Sequence, residues 1–123
     1  MKNLGREAKT GEAFITSAYN LPSKYVIHTV GPIVGKSLIE QNKKDLEECY
    51  LSCLRRAESK KLSRIAFCCI STGEFHFPNE AAAIIAVQTV LKYKQTTNSN
   101  IKVIFNVFKE EDHDIYKRLL SRN

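Results

Sequence analysis

The sequence predicts an α/β domain with a three-layer α/β/α arrangement: a mostly parallel sheet of about four strands with helices on both faces. Three observations carry that expectation. Continuous apolar runs rich in β-branched residues recur along the chain, as strands buried on both faces require. Between them lie stretches whose apolar residues repeat at helical spacing. Strands alternating with helices in this way close a parallel sheet through helical crossovers. The chain has 123 residues, 43% of them apolar. That is room for a single domain, 1–123, with an ordinary core.

Taken in order, Glu12 to Tyr19 has strand character and ends at the turn Asn20-Leu21-Pro22-Ser23. Tyr25-Val26-Ile27-His28-Thr29-Val30 is a β-branched run closed by Gly31-Pro32. Leu46, Cys49, Tyr50, Cys53, Leu54 and Ala57 recur at helical spacing and predict an amphipathic helix over about residues 38–60. Ile65 to Ile70 is a second buried strand, bounded by Arg64 and Ser71-Thr72-Gly73. Pro78-Asn79-Glu80 opens a second helix through Ala83, Ile84, Val87, Val90 and Leu91, with proline where its missing N–H costs nothing. Thr96 to Asn100 is a polar loop, and Val103 to Phe108 is a third buried strand. Asp112 is suited to cap a last helix carrying Ile115, Leu119 and Leu120.

Composition narrows the function classes. The longest strongly apolar stretch, Ala81 to Leu91, is shorter than the roughly 20 residues that span a bilayer. Met1 to Arg6 has no apolar run behind its charges, so a secretory signal is not expected and the cytoplasm is the expected compartment. Cys49, Cys53, Cys68 and Cys69 contain no CxxC pair. Cys49 and Cys53 share a helical face, a spacing that two metal ligands can use. The reading adopted is small buried hydrophobes in a reducing compartment, with no disulfide, metal or cofactor. The net charge of +6 favours anionic partners. Part of it, Arg55, Arg56, Lys60 and Lys61, closes the first helix, where cations offset the negative end of the helix dipole.

Ligands of such sheets bind where strands end at their C-terminal edge. The loops after Val30, Ile70 and Phe108 are therefore the places to look. The first, Gly31-Pro32-Ile33-Val34-Gly35-Lys36-Ser37, is like a nucleotide-phosphate loop but has one residue too few between its glycines. It reads as a strand-exit turn. The second, Ser71-Thr72-Gly73-Glu74-Phe75-His76-Phe77-Pro78, follows a strand and leads into a helix start, where free N–H groups favour anions. Phe75 and Phe77 are expected to wall a pocket there. His28, in mid-strand, is expected to be a hydrogen-bonded core histidine.

Thr10-Gly11-Glu12-Ala13, Ala18-Tyr19-Asn20-Leu21-Pro22 and Tyr25 to Pro32 resemble the middle of a macrodomain, the ADP-ribose-binding fold. Ala66 to Gly73, with Phe75 and Phe77-Pro78, resembles that family's second phosphate-binding loop and the strand before it. Val103 to Phe108 resembles its last strand. The blocks occur in the family's order over about residues 8–121, closest to bacterial members that remove ADP-ribose from proteins.

The resemblance implies roles. Backbone N–H groups of Ser71, Thr72, Gly73, Glu74 and Phe75 bind the diphosphate, with Phe75 beside the distal ribose. Phe108 stacks on adenine and Asn106 lines the same cleft. Glu74 and His76 are read as rim residues. The resemblance covers the C-terminal two-thirds of the family's domain, and implies truncation at the N-terminus. The family's first strands, its adenine-binding Asp, Asn-rich and Gly-rich loops and the zinc ligands of one branch have no match. The expected function is accordingly binding of ADP-ribose or a related nucleotide diphosphate, weakened or lost, with hydrolase activity impaired. The family places one of the unmatched strands between those matching residues 24–30 and 64–70. Those two either pair directly or keep open edges, which points to a homodimer or a partner polypeptide completing the sheet. A non-catalytic interaction module and a basic nucleic-acid-binding domain are the alternative readings.

Overall fold

The structure is a computed structural model that describes residues 9–17, 25–68, 70, 76–107 and 109–121. Two strands open it: β1 (Ala13–Ser17) and β2 (Tyr25–Thr29) pair antiparallel, with Ala13 opposite Thr29 and Ser17 opposite Tyr25. The turn into β1 is built on Gly11, whose φ of +88° suits glycine alone. A Cβ there would also sit 3.3 Å from the Glu48 side chain. Its N–H donates to the Val30 carbonyl, and its own carbonyl accepts from Ser52 Oγ. The Gly11–Val30 end of the β1–β2 pair is thereby tied to the first helix.

That helix, α1 (Glu40–Ser59), buries Leu46, Cys49, Tyr50, Cys53, Leu54 and Ala57, the stripe expected from spacing. Asn42 Oδ1 accepts the Ile39 N–H at its start. At its end Lys61 takes a left-handed conformation, φ 55°. The Lys61 N–H returns to the Glu58 carbonyl and the Leu62 N–H to that of Ala57. This reversal satisfies carbonyls the helix would leave open. It turns the chain into β3 (Arg64–Phe67). Then follow α2 (Asn79–Thr97), β4 (Lys102–Phe105) and α3 (Glu110–Ser121). β3 and β4 are parallel, with Arg64 opposite Lys102 and Phe67 opposite Phe105.

The four strands thus form two pairs, and among the described residues β2 and β3 share no hydrogen-bonded ladder. Of the two arrangements open in the sequence, direct pairing is not adopted. One core nevertheless joins the pairs, running from Ala13 and Val34 through the α1 and α2 stripes to Tyr116. An aromatic chain forms its spine. Tyr50 of α1 meets Phe67 at 4.9 Å, Phe67 stacks on Phe105 at 6.1 Å, and Phe105 meets Tyr116 of α3 at 4.9 Å. Because side chains alternate along a strand, the other face of β3–β4 carries Ala66 and Ile104, both exposed.

Four expectations are corrected. His28 lies on β2 but is exposed, since its neighbours Ile27 and Thr29 take the α1-facing side. Phe77 is 1% exposed and belongs to the core. The left-handed His76 before it, φ 62°, reverses the backbone so that the next ring is carried inward. Asp112 does not cap α3, because the helix begins at Glu110 and leaves Asp112 inside its first turn. Cys68, read as a buried hydrophobe, is exposed on the open side of β3, whereas Cys49 and Cys53 are buried.

Candidate functional site

The parallel register brings the exits of β3 and β4 side by side. Phe67 and Phe105 are the last paired residues, and the Asn106 N–H donates to the Phe67 carbonyl at 2.7 Å. Asn106, expected in the cleft, is therefore at the mouth of β3, with an exposed side chain. The other site residues read from the sequence, Ser71, Thr72, Gly73, Glu74, Phe75 and Phe108, lie outside the described residues. Their flanks are described. The segment holding the first five is bounded by Ile70 and by His76 and Phe77, and Phe108 is bounded by Val107 and Lys109. Phe77 in the core anchors the downstream flank, and His76 is exposed, as a rim residue requires.

Each exit leads into a helix start. α2 begins at Asn79 after Pro78, and the Ala82 N–H donates to the Pro78 carbonyl. α3 begins at Glu110, and the His113 N–H donates to the Lys109 carbonyl. The two starts touch: Asn79 Nδ2 donates to Asp112 Oδ1 at 2.7 Å, and Asp112 is buried at 6% exposure. Nearby, Arg118 of α3 forms an ion pair with Glu80 of α2. Both members of that pair are exposed, so it adds little to stability. Helix N-termini carry partial positive charge and unpaired N–H groups. Two of them at one sheet edge favour an anionic group lying between the strand exits.

Two thiols of α1 are buried. Cys49 Sγ donates to the Val30 carbonyl at 3.3 Å. Burial pushes its thiol up, and pushes that of Cys53 up to about 12. Both therefore stay neutral near pH 7 and act as packing groups. Among the described residues no three His, Cys, Asp or Glu side chains lie close enough to hold a metal ion. No described helix is long and apolar enough to cross a membrane.

The fold is that of an α/β domain, a class whose ligands lie across the C-terminal ends of the strands. The Macro domain family model matches residues 1–86. The chain is 49% identical, over its whole length, to a protein-ADP-ribose hydrolase of Staphylococcus aureus strain MRSA252, of which it covers 47%. It is 44% identical over 113 residues to the human ADP-ribose glycohydrolase MACROD2, covering 91% of this chain and 27% of that one. Its fold superposes on the Oceanobacillus iheyensis macrodomain with ADP at a TM-score of 0.87 and 38% identity, over 98% of this chain and 63% of that one. A Trypanosoma brucei macrodomain in complex with ADP-ribose gives 0.82 and 33%, over 91% and 46%. The chain belongs to the macrodomain family. It spans about half the length of the bacterial hydrolases it matches.

Proposed function

We propose that this chain binds ADP-ribose, or a closely related nucleoside diphosphate, across the exits of β3 and β4. The observation that carries the reading is the superposition, over 98% of the chain, on a macrodomain structure with ADP. The edge geometry supports it, because two helix starts favour the diphosphate between them. In this reading the backbone N–H groups of Ser71 to Phe75 receive the diphosphate, Phe108 stacks on adenine, and Asn106 lines the cleft beside it. Removal of ADP-ribose from proteins is proposed for the whole protein on the strength of the hydrolases it resembles.

Calorimetric titration of the 123-residue chain with ADP-ribose tests the reading, with AMP as control. The expected affinity is micromolar, about −8 kcal/mol. Phe108→Ala is expected to remove about 1–3 kcal/mol of it through lost base stacking. Absence of heat and of any thermal shift up to millimolar ADP-ribose would overturn it.

A second reading concerns assembly. Among the described residues β2 and β3 each pair on one side only, and Ile104 on the open face of β4 is 37% exposed. Unpaired edges and an uncovered apolar face attract further strands. We infer that a second copy or a partner polypeptide pairs there. Light scattering at micromolar concentration is expected to show a dimer, and a monodisperse monomer would remove the second-copy form of this reading.

A further inference from the structure

The hydrogen bond between Asn79 and Asp112 joins residues 33 apart in sequence, and it is placed where two loops must agree. Asn79 is the first residue of α2, four residues beyond the segment read as the diphosphate loop. Asp112 is in the first turn of α3, four residues beyond Phe108. Each partner is rigidly attached to its own side. Phe77 pins the start of α2 to the core, and the Phe105–Tyr116 ring contact pins α3 to β4. The Asn79–Asp112 bond connects these two attachments directly at the end of the sheet where the loops emerge.

Its chemistry fits a positional role better than a stabilising one. A carboxylate at 6% exposure is costly to bury, and one neutral hydrogen bond only partly offsets that cost. Asp112 lies in the first turn of α3 and its partner opens α2, and the partial positive charge at helix N-termini favours a carboxylate there. An apolar pair would pack there without the desolvation cost, but it would not fix one side chain against the other in a single geometry. What the bond specifies is the distance and angle between the start of α2 and the start of α3.

We propose that Asn79 and Asp112 are positioning residues that set the spacing between the start of α2 and the start of α3, the two helix starts beside the proposed ligand edge. They thereby govern affinity for ligands that span both. The proposal rests on the ADP-ribose reading above, and it names residues that act on the ligand only through the loops they hold.

The experiment compares a spanning ligand with one that touches a single loop. Wild type, Asn79→Ala and the reversed pair Asn79→Asp/Asp112→Asn are titrated with ADP-ribose by calorimetry and with inorganic pyrophosphate by NMR. The reversed pair keeps both the net charge and the hydrogen bond, with the amide now on α3. Asn79→Ala is expected to weaken ADP-ribose by about tenfold or more while pyrophosphate changes by less than about twofold. The reversed pair is expected to return ADP-ribose binding to within about threefold of wild type. Unchanged ADP-ribose affinity in Asn79→Ala overturns the brace, as does an equal loss for both ligands, which would mark local damage to one loop. Should Asn79→Ala not fold, the reversed pair decides alone, and a folded reversed pair that binds ADP-ribose poorly overturns the proposal. A wild-type chain that binds no ADP-ribose takes down the site reading and the brace with it. A wild type that binds with an indifferent Asn79→Ala takes down the brace only.

Discussion

The two ends of the β3–β4 pair are built from opposite halves of their helices. At the C-terminal end α2 and α3 begin, and their N–H groups look toward the strand exits. At the other end α1 and α2 finish, and carbonyls predominate. At the end of α1 the Glu58 and Ala57 carbonyls accept the N–H groups of Lys61 and Leu62. Lys61 and Asn98 turn left-handed, φ 55° and 53°, and the Ser99 hydroxyl donates to Glu58. A shallow groove lies there, lined by Glu58, Lys61, Tyr93 and Ser99 among others. Burial, and then the nearby Glu58 carboxylate, push the Tyr93 phenol up, so the groove offers a neutral hydroxyl beside an acid. On the proposed reading a diphosphate is therefore favoured at the end where the helices start and disfavoured at the end where they finish. In that reading the polarity of the helices, more than the net charge of +6, distinguishes the two ends.

The largest effect that tests this comparison comes from the aromatic spine. Phe67→Ala removes the ring that contacts both Tyr50 and Phe105, at the residue whose carbonyl holds Asn106. Urea denaturation is expected to show a loss of about 3–5 kcal/mol. A loss below about 1 kcal/mol would mean that the site end is held by something other than this spine. The smallest effect belongs to the groove end. Glu58→Ala deletes the acceptor of the Ser99 hydroxyl, which is expected to cost about 1 kcal/mol in the same assay. ADP-ribose affinity should remain unchanged. A substantial loss of ligand binding in Glu58→Ala would erase the distinction between the two ends.

Much of this frame was legible in the residues. The α1 stripe, the start of α2 after Pro78 and the strands around Ile27, Ile65 and Val103 follow from spacing and from β-branched runs. The misreadings share a physical cause. His28, Phe77 and Cys68 were judged by type and local pattern, but which face a residue takes depends on what covers the sheet and on one left-handed residue, His76. Asp112 was read as a cap because caps are local signals, whereas its partner Asn79 is 33 residues away. No local pattern announces such a pairing. Asn106 was placed in the cleft from family likeness alone, and the parallel register explains how it reaches the mouth of β3.

The opposition of Phe67 to Phe105 also constrains how sequences of this kind can change in length. Side chains on a strand alternate with a strict period of two, so one residue gained or lost within β3 would exchange the core face for the open one. Phe67 would be delivered to solvent and Ala66 or Cys68 to the aromatic spine. Insertions and deletions are thus barred from the four residues of β3. The polar turn from Asn98 to Asn100, at the far end of the same sheet, is exposed at Asn98 and Asn100 and can absorb them. Length variation among descendants of such a chain should collect at the groove end, leaving the C-terminal end of β3 and β4 in fixed register.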